Sequence, residues 1–202
     1  MHRFCLILLT VLSVRDISFG QQKYALLITE KSFAGITNNT GIADLERLFG
    51  KQHVKDDIDY GPEGADTIQV TKVYPDNAKE IVVFWKKNGY HKRVASLEAY
   101  QVGSPYSTAD GLKIGTKLGK LLQVNGHALS FSGPGWDYGG YISSFHKGKL
   151  AHSNINYQLF NGDGLPDKLL GDVQLSTDMP LVKKNLDRLY IGRITLVLSK
   201  SE

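Results

Sequence analysis

The chain has 202 residues, 42% of them hydrophobic and 22% charged, a balance that excludes disorder, collagen-like repetition and a multi-pass membrane protein. One cysteine excludes a disulfide framework and any zinc site built from several thiolates. The net charge of 24 − 20 = +4 is mild and not gathered into a basic stripe, which argues against a nucleic-acid partner.

The first twenty residues read as an address. His2 and Arg3 precede an apolar-to-neutral run over residues 4–14, which Arg15 and Asp16 close. Eleven residues are too few for a helix crossing a bilayer, which needs about 20. They suit the apolar core of a secretory signal peptide, and Ser18 and Gly20 supply the small residues read at a cleavage site. Cleavage after Gly20 predicts a mature chain with no cysteine and a charge of 22 − 19 = +3. The expected location is periplasmic or secreted, without stable membrane insertion.

In chain order, a strand is predicted over 23–28, then a helix opened by Thr40 and closed by Gly50. Ile42, Leu45, Leu48 and Phe49 mark one face of that helix. Strands follow over 67–74, 80–87 and 92–100, with turns at Pro75-Asp76-Asn77 and Asn88-Gly89. A second helix is opened by Thr116 and closed by Gly126, with Leu118, Leu121, Leu122 and Val124 on one face. Strands are then expected over 128–132, 139–145 and 149–159. A short helix beginning near Asp178 and Pro180 leads into a last strand over 189–198. That strand alternates, with Ile194, Leu196 and Leu198 opposite Arg193, Thr195 and Val197.

Residues 35–50 align without a gap on residues 111–126, an offset of 76. Gly35/Gly111, Thr40/Thr116, Leu45/Leu121 and Gly50/Gly126 are identical, and Ile36/Leu112, Ile42/Leu118 and Leu48/Val124 are apolar in both. Each helix is about ten residues, too short to stand alone in water, so its stripe must lie on a sheet. The expected fold class is α+β: two tandem helix-plus-antiparallel-strand repeats forming a sheet, with short helices packed on one face. The expected organisation is a leader over 1–20, a first unit over 21–105 and a second over 106–202.

This cap, apolar stripe, terminal glycine and run of strands, repeated in tandem, resembles the architecture of the beta-lactamase-inhibitor-protein (BLIP-like) family. A single copy of a similar unit occurs in small outer-membrane lipoproteins that assist barrel assembly. The segment from Gly111 to Gly140, ending Gly-Trp-Asp-Tyr-Gly-Gly, is also similar to a group of uncharacterised secreted bacterial proteins. The mature chain lacks the disulfides of the inhibitors and the lipidated cysteine of the lipoproteins. The resemblance therefore implies a protein-binding scaffold rather than a chemistry.

Catalytic signatures are absent from the sequence: it has no Gly-x-Ser-x-Gly elbow, no phosphate-binding loop and no His-Glu-x-x-His helix. No catalytic residue, metal ligand or cofactor is assigned. His146 and His152 fall on consecutive predicted strands, and Asp137 is near enough in sequence to supply a carboxylate, but solvent-facing or rim histidines are the simpler account. Residues 161–172 imitate the oxygen spacing of a calcium loop, yet Pro166 stands where such a loop needs glycine. Asp56, Asp57 and Asp59, with Glu63 and Asp66, read as a solvated acidic loop. Trp85, in Ile81-Val-Val-Phe-Trp85, is expected in the core or on a sheet face, and Lys86, Lys87, Lys92 and Arg93 flank a hairpin turn.

The most informative segment is Gly133-Pro-Gly-Trp136-Asp137-Tyr138-Gly-Gly-Tyr141. Aromatic residues among four glycines suggest a recognition loop, because Trp and Tyr bury large areas at little entropic cost. The candidate binding residues are Trp136, Asp137, Tyr138 and Tyr141, with a plug at the sheet end as the other reading of Trp136. The expected function is a non-enzymatic module binding a protein partner through loops and an open sheet face. The alternatives are a small-molecule or glycan binder using the same aromatic loop, and a hydrolase without a recognisable motif.

Overall fold

The computed structural model describes residues 26–61, 64 and 66–198, and the expected leader lies outside them. In chain order the elements are β1 (Leu27–Ile28), α1 (Ile42–Phe49), β2 (Val54–Tyr60), β3 (Thr67–Val73), β4 (Ile81–Trp85) and β5 (Val94–Ala99). These are followed by β6 (Ser107–Thr108), α2 (Leu118–Asn125), β7 (Ser130–Ser132), β8 (Ile142–Ser144) and β9 (Ile155–Asn161). The chain closes with β10 (Gln174–Ser176), α3 (Pro180–Lys183) and β11 (Leu189–Val197). The fold is mixed α+β, mostly sheet with short helices.

Six strands form one sheet in the order β2-β3-β4-β5-β11-β9, every neighbouring pair antiparallel. A second sheet has the order β10-β7-β8, and β1 pairs with β6 in a small parallel sheet. The two antiparallel sheets meet at one joint. Tyr141 forms a bridge with Gln158, and the Leu159 N–H donates to the Gly140 carbonyl at 2.7 Å.

One continuous core lies beneath. Leu45 of α1, Leu121 of α2 and Val182 of α3 belong to the same buried cluster as Leu97 of β5, Phe131 of β7 and Ile194 of β11. Val70 and Val82 are also buried but fall outside that cluster, on the sheet's other face, in line with Lys72, Phe84 and Glu98. Along β11 the expected alternation holds for Ile194 and Leu196, both fully buried. It is broken earlier by a bulge at Gly192, so Ile191 also faces inward while Arg193 opposes Gln158.

Several local expectations change. Thr40 and Thr116 do not cap the helices; the capping positions are Gly41 and Lys117, without side-chain caps. The two threonine hydroxyls turn back instead and accept the N–H of Thr37 at 2.9 Å and of Lys113 at 3.0 Å. At α1 the Gly41 N–H is satisfied by the Asp44 carboxylate at 3.1 Å. Leu48 is 47% exposed, because the eight-residue helix buries a narrower stripe than the pattern suggested. Asp178 does not cap α3, whose capping position is Met179. The acidic stretch expected to be a loop is β2, an edge strand in full register with β3.

Candidate functional site

The hairpin from β7 to β8 is built around close approaches that only glycine allows. A Cβ on Gly133 would crowd the Gly171 carbonyl, one on Gly139 would crowd Trp136, and one on Gly140, at φ +76°, would overlap the Leu159 carbonyl oxygen. The glycines are therefore there for backbone contact, and the segment is a framed turn rather than a loose loop. Gly133 N–H donates to the Val173 carbonyl at 2.8 Å, and the Gly171 N–H donates to the Pro134 carbonyl at 3.0 Å. Within the turn, Gly139 N–H donates to the Trp136 carbonyl at 2.9 Å.

The aromatic side chains ride on this frame. The Trp136 indole N–H donates to the Gly133 carbonyl at 3.0 Å, and its ring centre lies 5.4 Å from that of Tyr138. Trp136 remains 38% exposed.

Trp136 and Asp137, with the turn backbone around them, line a cleft of about 390 Å³ together with Gln158, Phe160 and Asn161 of β9 and Arg193 of β11. Tyr138 stands behind Trp136, and Tyr141 meets Gln158 through the backbone bridge. The four predicted residues are thus neighbours, but only Trp136 and Asp137 face the cleft. The Gly192 bulge explains the far wall: with no side chain there, the Phe160 ring settles against the backbone.

Two polar atoms of the cleft residues are buried without a hydrogen-bond partner among the described residues, Gln158 Oε1 and Arg193 Nε. Gln158 is fixed at its other end, where Nε2 donates to the Gly139 carbonyl at 2.7 Å. Arg193 is held by Glu98, Nη1 to Oε2 at 3.3 Å, with its guanidinium 5.3 Å from the centre of the Tyr100 ring. Burial pushes the Glu98 carboxyl up, while the charge of Arg193 and the Thr195 hydroxyl pull it back. Burial also pushes the Tyr100 phenol up to about 12, aided by the charge of Glu80 and a hydrogen bond to it.

The other sequence candidates resolve differently. His91 Nε2 and Asp56 Oδ1 lie 2.9 Å apart, and Asp56 also accepts the Thr71 hydroxyl at 2.7 Å. Thr71 in turn accepts the Trp85 indole N–H at 2.9 Å. This carboxylate–imidazole pair has the look of a catalytic dyad, but the hydroxyl beside it is fully buried and committed in both directions. It works as a pin between β2, β3 and the β4–β5 turn. His146 and His152 lie in turns rather than on strands, and His146 is hydrogen-bonded to the Ser130 hydroxyl at 3.0 Å. In the calcium-like stretch, Arg188 Nη1 donates to the Asp163 and Gly164 carbonyls at 3.0 and 2.6 Å. A guanidinium thus holds backbone oxygens that a calcium loop would offer to the ion. Among the described residues no group of three or more His, Cys, Asp or Glu is arranged to hold a metal, and no helix is long and apolar enough to cross a membrane.

No family model and no curated protein matches the chain. Its fold is similar to that of the uncharacterized protein yfeY from Escherichia coli, with a TM-score of 0.52 and 14% sequence identity, over 84% of this chain and 98% of that one. At that identity the likeness is one of fold alone.

Proposed function

We propose that the chain is a non-enzymatic binding module of the periplasm or the extracellular medium, and that its recognition site is the cleft beside Trp136. The observation that carries this reading is the pairing of exposed aromatic rings, Trp136 and Phe160, with buried polar atoms that lack partners among the described residues. Burying such atoms unpaired costs about 1–3 kcal/mol each. A concave site with apolar walls and a few converging polar groups is the usual form of a small-ligand pocket, and 390 Å³ falls in its range. A small polar ligand is therefore favoured at this cleft.

A protein partner is the second reading, for a different part of the surface. The outer end of the β2–β3 hairpin exposes Ile58 and Tyr60 on one face of the edge strand β2, with Ile68 exposed on the opposite face. Apolar residues grouped at an exposed edge suit contact with another protein.

The proposal also takes the architecture as a duplication of the BLIP-like kind. Several features support it: α1 and α2 begin and end 76 residues apart, and the Thr40 and Thr116 hydroxyls accept equivalent backbone bonds. Ile36 and Leu112 are both fully buried, as are Leu45 and Leu121. The antiparallel pairing of β5 with β11 would then be the seam between the units.

A fragment screen read by protein NMR tests the cleft. The Trp136 indole N–H and the Gln158 side-chain amide give separate signals. Shifts concentrated on those two signals are expected. A screen in which hits leave both unmoved would sink the reading.

A further inference from the structure

The two unpartnered atoms specify more than polarity. Gln158 and Arg193 are register partners on β9 and β11, so their side chains leave neighbouring strands side by side, with Cβ atoms about 5 Å apart. One offers only a lone pair, Gln158 Oε1, and the other only an N–H, Arg193 Nε. A carboxylate or phosphate would meet the Gln158 lone pair and the Asp137 carboxylate, and the charge of Arg193 is already answered by Glu98. An ammonium group would meet the guanidinium. A hydroxyl satisfies both atoms through a single oxygen, which donates one hydrogen bond and accepts others.

An extended peptide is disfavoured by the backbone. A strand added here would need the free edge of β9, but at Gln158 and Leu159 that edge is taken by Tyr141 and Gly140. Recognition at this point falls to side chains, around a compact ligand. An exposed indole on one side and a phenyl ring on the other provide apolar walls for the flat face of a ring whose edges carry hydroxyls.

We propose that the cleft binds a neutral sugar, its ring against Trp136 and one hydroxyl reaching Gln158 Oε1 and Arg193 Nε, two atoms that stay covered until the side chains over them part. The proposal rests on the cleft being a binding site, and it names the chemistry that the site reads.

Cellotetraose, maltotetraose, mannotetraose and tetra-N-acetylchitotetraose are the probes, titrated calorimetrically to about 10 mM, a range that reaches weak single-site affinities. Tetragalacturonate and N-acetyl-tetraalanine amide serve as the anionic and peptide comparators. At least one neutral sugar is expected to bind. Trp136→Ala should weaken that sugar at least tenfold. Arg193→Lys, which keeps a positive charge opposite Glu98 but removes the Nε donor, should weaken it by about tenfold. Melting temperatures of both variants check that the fold survives. The proposal is overturned if no neutral sugar binds, or if binding is unchanged in two folded variants. Tighter binding of tetragalacturonate or the peptide than of every neutral sugar overturns the sugar assignment but leaves the cleft a binding site. Failure of the cleft itself is read separately, in the NMR fragment screen.

Discussion

Gly140 and Leu159 are joined by a 2.7 Å bond from the Leu159 N–H to the Gly140 carbonyl, and that bond ties the three-stranded sheet to the six-stranded one. It also sets the position of the cleft, because Trp136 hangs from one side of the joint and Gln158 from the other. Gly140 combines a left-handed backbone with a Cβ direction aimed at the Leu159 carbonyl. Gly140→Ala is therefore expected to cost about 2–4 kcal/mol, since strain and steric overlap act together. Gly135 has φ +96° but only one side-chain atom near its Cβ direction, at 3.4 Å, so Gly135→Ala should cost about 1 kcal/mol. Denaturant unfolding of the two variants measures the difference, and equal losses would remove the steric part of the argument.

Replacing both aromatic residues of the turn should separate binding from folding. Trp136 and Tyr138 are 38% and 44% exposed, and among the described residues the only hydrogen bond of either side chain is the indole N–H to Gly133. The Trp136→Ala/Tyr138→Ala double variant is expected to lose about 1 kcal/mol, or about 2–4 °C in Tm, while ligand binding disappears. Calorimetry beside a thermal melt reads both quantities. A large fall in Tm would make the pair structural.

Thr40 and Thr116 perform the same local task at very different depths. Each hydroxyl accepts the N–H three residues upstream, but Thr40 is only 6% exposed whereas Thr116 is half-buried. Thr40→Val leaves the Thr37 N–H without its acceptor in a part-buried setting and should cost about 1–2 kcal/mol. For Thr116→Val, water can take over the Lys113 N–H, so a loss of about 0.5 kcal/mol is expected. Urea unfolding checks the order, and a greater loss at Thr116 would reverse the argument from burial.

The same residues mark how far the fold can be read from the chain. Periodicity gave both helices and their 76-residue spacing, because apolar stripes and terminal glycines are local signals. It missed the capping position by one residue, since a threonine before a helix can bond forward or backward and only the preceding turn decides. β2 was hidden for another reason. Asp56, Asp57 and Asp59 have poor strand propensity, and the strand is held by pairing with β3 and by the Asp57–Lys72 and Asp56–Thr71 contacts.

At the cleft, Trp136 and Asp137 were legible from their aromatic and glycine-rich surroundings. Gln158 and Arg193 were not. They reach the site through β9–β11 pairing and a bulge at Gly192, which are long-range relationships without a short sequence pattern. The alternation of β11 put Arg193 on the polar face, and that was its only local trace.

Alkaline pH should loosen the protein through its buried phenols. Burial pushes the Tyr106 and Tyr157 hydroxyls well above the ordinary tyrosine range, and Tyr100 is pushed up to about 12, by burial first and then by Glu80. In the unfolded chain these groups ionise near pH 10. The folded form therefore holds its protons more tightly, and this contribution to stability is complete below about pH 10. It is lost as pH rises, for Tyr100 between about 10 and about 12. Urea midpoints should fall steadily over that window, with phenolate absorbance at Tyr106 and Tyr157 appearing only as the chain unfolds. Tyr100→Phe removes one of the contributing groups, so its midpoint should fall less steeply over the same window than that of the wild type. A wild-type midpoint that stays flat from pH 10 to 12 would mean that the buried phenols ionise without cost to the fold.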